Sequence, residues 1–442
     1  MDQVGREPVD RGEQLRPFEE GDVVVGRFGD DRTEFRPEAI AEVGFFVIPD
    51  AVPPLRRRSP RDRPKGFISV LRASADEMDE RGGTDEADDH SGADGSDGTG
   101  GHLYPDQWTE RLFRDHDRRH AYDGQTGAAF RAWQDDLRAE LREVLGLPVV
   151  EAAGVPSLAP ERHETVAGSG FERQRWTIRT ETGFRLPFWL LVPDDPDPPY
   201  PVTVALHGHG DGGTAVTVGQ PQTDQQRREV REERRDMAVQ AVERGHAALA
   251  PTMRGLGELA NGADEERGYR TCHTLQLHAQ LFGRSLAGDR VWDVTRLLDF
   301  VDGRDDLDDD SVTVTGHSGG GAAALFVAAV DERVDLAAVS SYFCTFADSI
   351  AALDHCECNY VPGVAALGEM ADVAGLVAPR PFVAVNGDDD HIFPVTGTRR
   401  AFDRLQRIYA AADAPDNCAL HVGDGGHRYY PDGVWPFVEE HA

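Results

Sequence analysis

The sequence predicts an α/β protein: a mostly parallel central sheet with helices on both faces. Two observations carry this. From residue 202 onward, short apolar runs alternate with helical segments. That alternation means βαβ units, whose crossovers leave successive strands parallel. In addition, the β-branched run Val312–Thr315 enters Gly316-His317-Ser318-Gly319-Gly320 and passes directly into the small-residue segment Gly321-Ala-Ala-Ala-Leu. A strand, a glycine-flanked turn and a helix thus follow one another without a spacer. At 442 residues the chain is long enough to bury a large core without covalent staples.

Taken in order, residues 1–73 carry 13 basic and 14 acidic residues, while the remainder carries 33 and 65. This shift separates an N-terminal extension of unknown role. It is compatible with a small accessory region, a flexible arm, or sequence upstream of a start at Met78. Residues 74–101 are acidic, Gly/Ser-rich and almost free of apolar side chains, so a disordered linker is expected. Residues 102–442 are expected to form the catalytic domain.

Within 102–442, apolar residues three to four apart predict a helix over Ala128–Leu145, ended by Gly146 and Pro148. Alternation over Phe171–Pro193 predicts a β-hairpin. Strands are expected at Val202–Leu206, His246–Pro251, Val312–Thr315, Leu336–Ser340, Pro381–Asn386 and Cys418–Val422. Helices are expected at Gln226–Arg244, Gly288–Val301, Gly319–Val330 and Thr396–Ala412. About forty residues separate Leu336–Ser340 from Pro381, more than a simple crossover needs, so a lid-like insert is expected there.

The net charge of −33 excludes a nucleic-acid binder, which must neutralise phosphates. Of 46 basic residues only Lys65 is lysine, and the acid is spread along the chain. Such a surface stays hydrated and dispersed at high salt, so adaptation to a salt-rich cytoplasm is expected. Five cysteines are odd in number and sparse, which argues against a disulfide framework. The first twenty residues lack an apolar signal region, and no apolar run approaches the ~20 residues of a membrane span. A soluble cytoplasmic protein is expected, with no membrane partner.

Gly316-His317-Ser318-Gly319-Gly320 matches the G-x-S-x-G nucleophile elbow in its required strand–turn–helix context. The turn strains the serine backbone and tolerates only small neighbours, while the helix start favours negative charge. Gly283-Arg284-Ser285-Leu286-Ala287 is a decoy, because no β-type run precedes it. A serine nucleophile needs a base held by an acid, in the chain order serine, acid, histidine, each after a later strand. The strand Pro381–Asn386 leads into Gly387 and Asp388-Asp389-Asp390; the strand Cys418–Val422 leads into Gly423-Asp424-Gly425-Gly426-His427. His427 is the expected base. Asp390 is the expected acid by its place before Ile392-Phe393-Pro394, with Asp388 second and Asp389 also in the run. The oxyanion of acyl transfer needs preorganised N–H donors. Gly319 should supply one, and the loop His207-Gly208-His209-Gly210 the other, from His209 or alternatively Gly210. Metal ligation by His207 and His209 is not expected, for want of a third ligand cluster. His355-Cys356-Glu357-Cys358 is read as packing, and Arg254 and Glu258 as framing the pocket.

Together ALHGHG at 205–210, ALAPTMRGLGE at 248–258, GRSLAGDRVWDVTRLLDFV at 283–301, VTGHSGGG at 314–321, DHCECNYVPG at 354–363, NGDDDHIFP at 386–394 and GDGGHRYY at 423–430 resemble the dienelactone hydrolase-like and acetyl xylan esterase-like α/β-hydrolases. The resemblance spans 102–442 and implies an α/β-hydrolase fold. It further implies a carboxylic-ester hydrolase with Ser318, Asp390 and His427 as triad, and no cofactor; the expected substrate is a small-molecule ester, and no metal is expected from the residues. Strict dienelactone hydrolases carry cysteine where Ser318 stands, so diene-lactone chemistry is not implied. Two other readings use the same elbow. A prolyl-peptidase-like enzyme would need a large propeller that residues 1–101 cannot form. A silent binding module would usually lack a triad member, and all three are present.

Overall fold

The computed structural model describes residues 105–442 except Asp211. The extension and linker expected at 1–73 and 74–101 lie outside the described residues. The described residues form one compact unit.

Nine strands form one sheet: β1 Glu161–Ala167, β2 Phe171–Glu181, β3 Phe184–Pro193, β4 Tyr200–Leu206, β5 Ala247–Pro251, β6 Leu307–His317, β7 Leu336–Ser340, β8 Phe382–Gly387 and β9 Cys418–Gly423. Their spatial order is β1-β2-β3-β5-β4-β6-β7-β8-β9. The meander β1–β3 is antiparallel and joins β5 antiparallel, whereas β5, β4, β6, β7, β8 and β9 run parallel. The mostly parallel sheet read from the sequence is therefore present. Its central strands are buried on both faces, as parallel strands between helices must be: every residue of β5, β7 and β8 is buried. The largest core cluster packs the helices Gly127–Leu145, Leu286–Asp302, Gly319–Val330 and Val395–Ala411 onto the sheet. A second cluster packs Met237–Val242 and Pro431–His441.

Three local expectations are corrected. The helix expected over Gln226–Arg244 is two helices, Asp224–Arg231 and Met237–Val242. Arg234 between them has φ 53°, a left-handed conformation that no helix accommodates. Pro148 does not close the helical region. Gly146 ends the first helix at φ 84°, and Pro148 then lies in the first turn of a second helix, Leu147–Ala152, where its missing N–H costs nothing. Strand β1 was not foreseen, because all seven of its residues are exposed and it shows no apolar alternation.

The insert between β7 and β8 is present. Its flanks are core, with Tyr342, Phe343, Phe346, Leu376 and Val377 buried. Only its middle, Leu353 to Asn359, reaches over the pocket described below.

Candidate active site

The C-terminal ends of β4, β6, β8 and β9 converge on one side of the sheet, where open α/β sheets place their ligand sites. At the end of β6, Ser318 has φ 57° and ψ −118°, a conformation that only a tightly held turn sustains. The glycines around it are steric necessities. A Cβ on Gly316 or Gly320 would collide with backbone of Gly320 or Leu206. A Cβ on Gly208 would lie 2.6 Å from the His317 carbonyl oxygen and 3.0 Å from Ser318 Cβ. The β4 loop therefore lies directly against the elbow. Ser318 N–H donates to the Ser340 carbonyl at 2.9 Å, locking the turn to β7. Gly319 is the first residue of the helix Gly319–Val330, so its N–H has no intrahelical acceptor.

After β8, Asp390 is buried. Its Oδ1 accepts from the N–H groups of Ile392 (2.9 Å) and Phe393 (3.1 Å), and its Oδ2 lies 2.8 Å from His427 Nδ1. Burial alone would raise the Asp390 pKa. The His427 hydrogen bond and charge, with the two N–H donors, outweigh it and hold the carboxylate below its ordinary value. Asp388 and Asp389 are exposed, and Asp388 Oδ1 instead accepts from Gly425 N at 2.8 Å. Asp388 thus fastens the loop that carries His427. Tyr430 Oη donates to the Gly426 carbonyl at 2.6 Å from the other side. The His427 ring lies 4.7 Å from that of His317, the residue before Ser318, and 5.9 Å from that of Phe393. The structure thus joins His427 to Asp390 rather than to Asp388 or Asp389, and sets it beside the elbow.

Ser318 and Gly319 open into a pocket of about 790 Å³, together with His209 and Gly210 from the β4 loop. Ile392, Phe393, Leu256, Ala260 and Leu353 are its apolar lining, and Glu265, Arg270, Asp354, His391 and Asn359 its polar lining. His207 does not take part. Its Nδ1 donates to the Gly208 carbonyl and its Nε2 accepts from Met253 N–H, which tie the loop to the segment after β5.

Three sequence expectations fail here. Arg254 does not frame this pocket: it is a part-buried cation bound to Asp293 (2.6 Å) and Glu181 (2.6 Å). Glu258 accepts from Thr252 Oγ1 and pairs with Arg175, also away from Ser318. The third concerns metal-ligand chemistry. His209 is accompanied by further ligand types: the ligand atoms of His209, Cys272, Cys356 and Cys358 all lie within 4.8 Å of one another. Cys272 was not singled out in the sequence, because it lies 84 residues from Cys356 and no local motif marks it. Ser285, the rejected nucleophile, caps the helix Leu286–Asp302: its Oγ accepts from Gly288 N and donates to the Leu145 carbonyl.

A sequence model of the Abhydrolase family matches residues 109–428. The chain belongs to this family. The match runs from the first described helix to the segment just past His427. YtaP of Bacillus subtilis (strain 168), assigned as a hydrolase, is 24% identical over 254 residues, covering 55% of this chain and 78% of YtaP. Among solved structures, BF1801 of Bacteroides fragilis NCTC 9343, assigned as an acetyl xylan esterase, superposes with a TM-score of 0.62 at 17% identity, over 76% of this chain and 84% of that one. A glucuronoyl esterase from Solibacter usitatus gives 0.52 at 15% identity, over 72% and 93%. At these identities the superpositions establish the α/β-hydrolase fold.

Proposed function

We propose that this chain is a serine esterase that cleaves carboxylic esters through an acyl-enzyme. The observation that carries the reading is the strained backbone of Ser318 at a strand–helix turn opening into the pocket, with the Asp390–His427 pair at the adjoining strand ends. Ser318 Oγ attacks the ester carbonyl while His427 Nε2 takes its proton. Asp390 fixes the Nδ1–H tautomer and stabilises the imidazolium. The N–H groups of Gly319 and of His209 or Gly210 receive the developing oxyanion. His427 then protonates the departing alkoxide, and water repeats the sequence to release the acid.

The substrate we propose is a small acyl ester on a sugar, an acetate foremost. The polar rim of Glu265, Arg270, Asp354 and Asn359 suits hydroxyl groups, while Ile392 and Phe393 offer an apolar patch for a short acyl group. Two proteins of the same fold are named as esterases of carbohydrate esters, an acetyl xylan esterase and a glucuronoyl esterase, and the first name is the one that matches an acetate. The reading includes a cytoplasmic location and a surface adapted to salt. The test is hydrolysis of p-nitrophenyl acetate and of acetylated xylo-oligosaccharides by wild type and Ser318→Ala at molar KCl. Turnover of both by wild type, with neither cleaved by folded Ser318→Ala, supports the reading. Undiminished activity of Ser318→Ala refutes it.

A further inference from the structure

Three chain segments meet at the edge of the pocket: the β4 loop with His209, the start of the helix His273–Leu281 with Cys272, and the insert with Cys356 and Cys358. A salt bridge from Arg270 to Asp354 at 2.8 Å and a hydrogen bond between His273 Nδ1 and Glu357 Oε1 at 2.9 Å clamp the last two. Gln276 adds a hydrogen bond to the Tyr360 carbonyl at 2.9 Å. Inside this clamp the four ligand atoms, His209 Nε2 and three Sγ, all lie within 4.8 Å of one another. The three cysteines are buried.

The spacing is that of a coordination shell. A tetrahedral zinc with Zn–S of about 2.3 Å and Zn–N of about 2.0–2.1 Å sets its N···S edges at about 3.6 Å. His209 Nε2 lies 3.4 Å from Cys358 Sγ and 3.7 Å from Cys272 Sγ, either side of that value.

An independent observation is Arg290. This guanidinium is 3% exposed, donates twice to the Arg254 carbonyl (3.0 and 2.7 Å) and donates to Cys272 Sγ at 3.2 Å. A buried cation needs an anionic partner. Three neutral thiols would not provide one. A divalent ion bound by three thiolates and a neutral imidazole carries one net negative charge, which Arg290 balances.

We propose that His209, Cys272, Cys356 and Cys358 bind one zinc ion in a closed tetrahedral site that pins the insert to the β4 loop. Four protein ligands leave no position for water or substrate, so the ion is structural. Soft thiolates with one imidazole select zinc over hard cations such as magnesium or calcium. Metal binding stands independently of the esterase reading. Its consequence for catalysis rests on that reading: holding the His209 ring fixes the backbone that carries the second oxyanion donor.

The test is the metal content of the full chain purified from zinc-supplemented medium. We expect one zinc per chain, lost in Cys272→Ser and Cys358→Ser and kept in Cys418→Ser, whose thiol lies outside the cluster. Because a ligand variant can fail to fold, wild type is also stripped by a chelator and titrated with Co(II). One equivalent should produce the intense visible ligand-field bands of a tetrahedral site and a thiolate-to-cobalt charge-transfer band. Folded protein that carries no zinc and yields no such bands overturns the proposal, as does zinc retained in both ligand variants. Neither result touches the assignment of Ser318, which labelling by an active-site phosphonate tests separately.

Discussion

Asp390 Oδ2 stands 2.8 Å from His427 Nδ1, while Asp388, two residues earlier, bonds the Gly425 amide in the same loop. Two neighbouring carboxylates thus do different work. Asp390→Asn should lower kcat by about 10⁴-fold, because an amide favours the wrong imidazole tautomer. Asp388→Asn should leave most of the activity, since it loosens the loop without touching the imidazole. Steady-state kinetics on p-nitrophenyl acetate for the two variants checks this, and the reverse order would assign the acid to Asp388.

Acid should destabilise the fold before it titrates the carboxylates. His317 and His246 have pKa values pushed down, chiefly by burial, and neither ring nitrogen of His317 has a hydrogen-bond partner. Their folded pKa values lie below the unfolded value of about 6.5, so below that pH the unfolded chain takes up protons that the native state refuses. Stability is therefore full above about pH 6.5 and falls as the pH drops beneath it. Asp390, whose pKa is depressed, adds stability present above about pH 3.9 and lost only as pH falls through its folded value. Melting temperatures should decline from about pH 7 to about pH 5. The decline should be shallower in His317→Gln, which cannot take up the proton. An equal slope would show that His317 does not contribute.

The alternation of strands and helices was legible because the inner parallel strands are short apolar runs, fully buried in Leu336–Ser340 and Phe382–Gly387. Ser318, Asp390 and His427 could be singled out as candidates for a related reason: each follows a strand through a turn that contains glycine. Features decided by contacts were not legible. Strand β1 is polar and exposed, and exists only through pairing with β2. The break at Arg234 leaves no proline or glycine as a sign. The cluster around His209 draws ligands from three segments, so no spacing along the chain could reveal it.

Removing residues 1–95 should leave a folded, active enzyme. The described residues form one compact unit that contains the nine-stranded sheet, and the family match begins only at residue 109. Circular dichroism and ester turnover of the shortened chain check this, and loss of soluble protein would make the N-terminal region part of the fold.

Salt should stabilise the protein through screening. The net charge is −33, and like charges disfavour the compact state. The Debye length falls from about 8 Å at 0.15 M to about 3 Å at 1 M, so molar salt quenches most surface repulsion. Melting temperature and activity should rise together between about 0.1 M and 3 M KCl. Sodium sulfate at matched ionic strength should do no better unless salting-out of apolar surface dominates. A flat melting temperature across the KCl series would refute adaptation to salt.

The central claim is that Ser318 is the nucleophile. The most direct test is labelling of the full chain with a fluorophosphonate, followed by peptide mapping by mass spectrometry. One adduct per chain is expected, on Ser318, absent from Ser318→Ala and prevented by prior incubation with a slowly hydrolysed ester. An adduct on Ser285, or an active enzyme that takes no label at Ser318, would contradict it.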